Sequence, residues 1–188
     1  IAGPQRKKSV GTLEVIKKLS HKPSLRANDI RVWPATQAFD FNLCPGEIVG
    51  ITGLDGQGQS EFVRAISGVI PLLDGKINVI YNGRANSVFD LKSARENSIS
   101  YISGDRKKEG LFPNLSIFEN MCLSVYEQFT WGGFLKLINK YKLNSIFVHE
   151  TNKLATKMGD EGDLITSLSG GNQQKILIGR SFAERPSI

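Results

Sequence analysis

Cysteine is nearly absent: Cys44 and Cys122 are the only two in 188 residues, far apart and in no metal-ligand spacing. That excludes a disulfide scaffold and a thiolate metal site, and it fits a reducing compartment. Histidine is equally scarce; His21 lies in a polar early turn and His149 in a helical stretch, and both read as surface residues. No apolar run approaches the roughly 18 residues of a membrane span, and the opening IAGPQRKKSV lacks the apolar centre of a signal peptide. The chain is not expected to cross a membrane by itself, and the cytosol is the simplest location. Internal repeats and low-complexity tracts are also missing.

The composition, 40% hydrophobic and 22% charged, is that of an ordinary globular domain large enough for a real core. A formal charge of +6 would suit a polyanionic partner. Yet the basic residues fall in short scattered groups, such as Arg6, Lys7, Lys8 and Arg106, Lys107, Lys108, without a dense basic face interleaved with aromatics. No nucleic-acid partner is expected.

Residues 1–11 read as a polar linker or tail. From residue 12 the runs TLEVIKKL, DIRVW and FDFNL suggest short antiparallel strands, with a turn at Cys44, Pro45 and Gly46. EIVGIT, residues 47–52, reads as a strand buried on both faces, followed by a glycine loop and the helix SEFVRAISG. DGKINVIYNGR is a hairpin pattern and SISYIS another buried strand. Residues 112–166 turn helical, through LSIFENMCLSVY with Ser116 as cap, GGFLKLINKY and VHETNKLATKMG. Residues 167–188 hold a serine-glycine turn and a last helix stopped at Pro186. The expected organisation is a core over residues 12–111, a helical part over 112–166, and the final turn and helix.

GLDGQGQS, residues 53–60, has the spacing of a phosphate-gripping loop. Glycines let backbone N–H groups converge on phosphate at a helix N-terminus, a lysine adds charge, and a hydroxyl holds Mg²⁺. Gly53, Gly56, Gly58 and Ser60 keep the backbone and metal parts, but Gln59 stands in the lysine position. Hydrogen bonds to charged groups contribute about 1.5–3 kcal/mol against about 1 for neutral ones, so triphosphate binding should weaken by roughly one to two powers of ten. Phosphoryl transfer should suffer more. The candidate cofactor residues are Gly53, Gly56, Gln57, Gly58, Gln59, Ser60 and Glu61, with Ser60 as the Mg²⁺ ligand.

LSGGNQQK, residues 168–175, is a capped helix start, and it also resembles the signature motif of ATP-binding cassettes. With the glycine loop upstream and helices between, the chain resembles the nucleotide-binding domain of an ABC transporter. It is most similar to the second, C-terminal cassette in the duplicated ATP-binding subunits of ribose, galactose and xylose importers. That subgroup carries a substituted loop lysine and a stretch like YISGDRKKEGLFPNLSIFENM, residues 101–121. The resemblance implies an α/β, P-loop NTPase-like fold, a mixed sheet with an antiparallel β subdomain and an inserted helical subdomain. It implies ATP and Mg²⁺ as cofactors, and a head-to-tail pair with a second cassette whose ATP would be met by Ser169, Gly170, Gly171 and Asn172. It also implies membrane permease subunits as partners, a sugar-binding protein indirectly, and a place on the cytoplasmic face of the membrane.

Several departures qualify what is carried over. Gly104 stands where many cassettes have a glutamine and this subgroup often a glutamate. Asp105 is a candidate substitute metal ligand, with an exposed turn aspartate as the alternative, and Trp33 a candidate for adenine stacking, with an ordinary strand aromatic as the alternative. The family's Mg²⁺-binding aspartate, catalytic glutamate and switch histidine would follow residue 188. The expectation is therefore a C-terminally truncated fragment, with no catalytic residue of its own and inactive alone. Arg106, Lys107, Lys108, Leu111, Phe112, Ile117 and Phe118 are candidate permease contacts, with packing and solvation as the alternative. Two other readings stay open: a non-transport ATPase of this type acting on nucleic acid or the ribosome, and a regulatory nucleotide-binding module without turnover.

Overall fold

The computed structural model describes residues 24–34, 37–54, 56–131 and 137–188. The expected tail and the TLEVIKKL strand lie outside them. Four strands, β1 (Leu25–Arg31), β2 (Phe39–Leu43), β3 (Asp74–Tyr81) and β4 (Arg84–Val88), form an antiparallel sheet in the order β2-β1-β3-β4. Alternation builds it: Leu25 and Ala27 on β1 and Ile77 and Val79 on β3 point to one buried face. The register shifts after Ala27, where Asp29 adopts φ 48. Asp40 Oδ1 takes up the Asp29 N–H of this bulge at 2.8 Å. DIRVW was expected to start a strand at residue 29; the strand begins at Leu25 because its apolar alternation starts there. The hairpin over β3 and β4 turns at Asn82 and Gly83, as its sequence predicts.

Helix α1 (Gln59–Ile66) lays Phe62 and Ala65 on this sheet, where Phe62 meets Phe39 and Phe41. The short α2 (Leu91–Glu96), absent from the sequence reading, is closed by a capping box of Asp90 and Ser93. Its pattern is too brief for helical periodicity to show.

A second apolar cluster occupies the helical part. α3 (Ile117–Cys122) continues into a 3₁₀ segment (Leu123–Phe129), then come α4 (Lys140–Lys153) and α5 (Gly170–Ala183). Ile117, Met121, Val125, Leu143, Phe147 and Ile176 form its centre. A two-residue ladder of β5 (Thr130–Trp131) with β6 (Leu137–Ile138) interrupts the expected GGFLKLINKY helix, and α4 starts only after the Asn139 cap.

Two expected buried strands are corrected. Residues 47–52 make no ladder among the described residues, and Ile48 is 98% exposed. An apolar run becomes a strand only when neighbouring backbones take up its N–H and C=O groups. SISYIS forms only a beginning: Ser187 and Ile188 donate to Ser98 O at 2.8 and 3.2 Å, and Ser100 donates to Ile188 O at 2.9 Å, the alternation of a parallel pair.

Candidate functional site

The glycine loop enters α1 through Gly56 and Gly58, at φ 80 and 92, which side-chain-bearing residues rarely adopt. Gly58 is the N-cap, and no side chain caps the helix, so its first N–H groups are open to an anion. Ile51, Thr52, Gly53, Gly56, Gln59, Ser60 and Glu61 line a depression of about 300 Å³ there. Trp33 packs beside it: a Cβ on Gly58 would lie 3.7 Å from the Trp33 Cβ. That brings the expected aromatic to the loop.

Gln57 and Gln59 are both turned inward. Gln59 Nε2 donates to Leu54 O at 2.8 Å, and Leu54 N donates to Gln57 Oε1 at 3.2 Å. The Gln59 amide crosses so close to Gly53 that a Cβ there would lie 2.5 Å from it. The side chain in the lysine position thus braces its own loop.

At the other motif, Ser169 is the N-cap of α5 but makes no capping bond; its Oγ accepts from Asn172 Nδ2 at 3.2 Å. The first helical N–H groups of Gly170 and Gly171 are again free for an anion. Asn172 Oδ1 accepts from Lys157 N at 3.1 Å. Two residues that had no expected role brace this turn: Gln173 Nε2 donates to Ile165 O and Leu168 O, and Lys175 Nζ donates to Ala155 O at 2.7 Å.

A π-helical turn, Arg106–Gly110, connects the two motifs. Arg64 of α1 donates to both Glu109 oxygens at 2.7 and 2.9 Å, and Ser103 Oγ donates to Glu109 Oε2 at 2.8 Å. Arg64, then Ser103, holds the Glu109 carboxyl below the usual range, and the Glu109 bond in turn raises Arg64. Arg180 of α5 donates to Gly110 O, and burial lowers its pKa. Arg106 lies against Gly170. Sequence reading missed these bridges because their partners stand 45 and 70 positions apart. Asp105 caps the turn, with Oδ1 on Lys108 N at 3.1 Å and Oδ2 3.8 Å from Lys108 Nζ. Among the permease candidates, Ile117 is fully buried and Leu111 and Phe118 pack on the helical core, while Phe112 is 46% exposed.

An antiparallel sheet carrying a glycine-loop helix, joined to a helical part that offers a second open helix N-terminus, is the form of an ATP-binding cassette. Solved structures agree in fold: a dimeric ATP-binding cassette in a post-hydrolysis state bound to ADP and Pi matches at TM-score 0.65 and 18% identity, over 86% of this chain and 70% of that one. CbiO1 from Clostridium perfringens, part of the ABC transporter complex cbiONQ, matches at 0.64 and 14%, over 87% and 62%. The profile described as ABC transporter matches residues 36–188, and the chain belongs to that family as an ATP-binding domain. The ribose import ATP-binding protein RbsA of Clostridium tetani is 34% identical over 164 residues, 87% of this chain and 32% of that protein. RbsA of Geobacillus kaustophilus is 34% identical over 149 residues, 79% and 29%. The chain spans about a third of the length of these curated relatives.

Proposed function

We propose that this domain binds ATP as the energy-coupling part of a monosaccharide importer, and that its two motifs are unequal. Its own loop grips nucleotide weakly, and its signature turn completes the ATP site of a second cassette. The observation that carries this reading is the Gln59 amide bonded to Leu54 O beside an open helix N-terminus. The loop keeps the N–H cradle that phosphate requires, but it has no cation there and holds its shape through an internal bond. The residues present fit a nucleotide with Mg²⁺: the N–H groups of α1 would hold phosphate oxygens, Trp33 would stack on the base, and the Ser60 hydroxyl would ligate the metal. ATP supplies a phosphoryl group for transfer to water. The chain's own residues orient it, the first turn of α1 on its own nucleotide and Ser169, Gly170 and Gly171 on the partner's.

The import names of the curated relatives support sugar uptake, with permease subunits as membrane partners and a position at the cytoplasmic face. No helix of the described residues is long and apolar enough to cross a membrane. Phe112 remains a candidate permease contact because it is exposed, and Leu111, Ile117 and Phe118 are better explained as core.

The test is ATP turnover by the assembled cassette pair. Gly171→Glu should abolish at least nine-tenths of it, because the added carboxylate meets the phosphate at the signature, whereas Gln59→Ala should leave most of it. The reverse order would overturn the proposed asymmetry.

A further inference from the structure

The guanidinium of Arg106 occupies a place that its own turn does not explain. A Cβ on Gly170 would lie 2.8 Å from Arg106 Nη2 and 3.5 Å from Cζ. Cα–Cβ bonds in an α-helix tilt toward the N-terminus, so a group in that direction stands at the mouth of α5, beside the free N–H groups. Among the described residues no acceptor meets Arg106 Nε, which is enclosed although the side chain as a whole is only half-buried.

The nearby carboxylates are engaged elsewhere. Glu109 is taken by Arg64 and Ser103, and Asp105 by Lys108. The first turn of α5 contains no acidic residue. The Nε is enclosed by the chain itself, but Nη2 stands at the mouth of α5, and a guanidinium at the positive end of a helix is unfavourable unless an anion joins it there.

We propose that Arg106 is the cationic component of the signature site and binds the terminal phosphate of ATP held by a second cassette. This rests on the reading above that Ser169, Gly170 and Gly171 face that phosphate. Two lines of chain then converge on one anion: helix N–H groups from α5 and a planar guanidinium from the π-helical turn, whose fork suits phosphate oxygens. It also gives Gly170 a reason beyond helix geometry, since any side chain there would displace the guanidinium. The turn that carries Arg106 is tied through Glu109 to Arg64 on α1, so the cation is aimed by the element that holds the domain's own nucleotide loop.

The experiment measures ATP-dependent turnover and ADP affinity in the assembled cassette pair carrying Arg106→Gln, Arg106→Lys or Gly171→Glu. Loss of a charge-assisted contact predicts that Arg106→Gln raises the half-saturating ATP concentration about 10- to 100-fold. Arg106→Lys should recover part of it, ADP affinity should be unchanged, and the melting temperature should stay within about 2 °C. If Arg106→Gln behaves as wild type while Gly171→Glu is disabled, the inference fails and the signature reading stands. If Gly171→Glu is also wild type, the signature reading itself fails and takes the inference with it. A drop in ADP affinity or melting temperature comparable to the loss of ATP response would assign Arg106 a structural role and overturn the proposal.

Discussion

Gln59 shows how one residue type decides between charge and shape. A lysine would place a cation among the loop's N–H groups; the amide instead donates to Leu54 O and stiffens the loop without attracting phosphate. The two thiols make a second residue-scale contrast. Burial raises Cys122 to about 12, and it is fully enclosed by the helical core, whereas Cys44 is half-buried. A thiol reagent at pH 8 should therefore label Cys44 alone in the native protein and both cysteines in denaturant. Rapid native labelling of two thiols, counted by mass spectrometry, would contradict the packing around Cys122.

At the scale of elements, caps explain why short helices hold. Ser116 accepts from Glu119 N while Glu119 accepts from Ser116 N, so Ser116→Ala should cost about 1 kcal/mol in denaturant unfolding. The carboxyls of Asp90 and Glu119, held by cap hydrogen bonds, and of Glu109, held by Arg64 and then Ser103, are all depressed. Depressed groups bind fewer protons folded than unfolded, so their contribution is present above the ordinary carboxylate value of about 4. It fades as pH falls through the lower folded values. Melting temperature should thus fall with acidification from about pH 5 downward and change little between pH 6 and 8 from these groups. A melting temperature constant from pH 6 to 3 would refute the caps and the ion pair together.

The same elements show what a sequence reveals. FDFNL, DGKINVIYNGR and SEFVRAISG were legible because alternation, turn residues and helical spacing are local. Residues 47–52 misled because burial on both faces is supplied by neighbouring strands, and GGFLKLINKY because its apolar spacing also suits a short ladder. The two glycine-bearing turns were readable as helix starts. Their connection was not: Arg64 with Glu109 and Arg180 with Gly110 depend on how distant segments pack.

At the scale of the molecule, apolar packing forms two clusters, one between the sheet and α1, the other among α3, α4 and α5. Phe147, 1% exposed, lies within the second and against Phe118. Phe147→Ala should destabilise by about 3–5 kcal/mol, read by chemical denaturation. The π-helical turn joins the two clusters, so the exposed ion pair Arg64–Glu109 matters more for placing the turn than for stability. In the proposed function the loop at α1, braced by the Gln59–Leu54 bond, is the weaker anion site, and the open start of α5 is the one offered to a partner. The central claim is that this inequality originates in Gln59, and calorimetric titration of ATP with Mg²⁺ into the wild-type domain and its Gln59→Lys variant tests it most directly. The account predicts that the lysine variant binds roughly 10-fold or more tightly; equal affinities would contradict it.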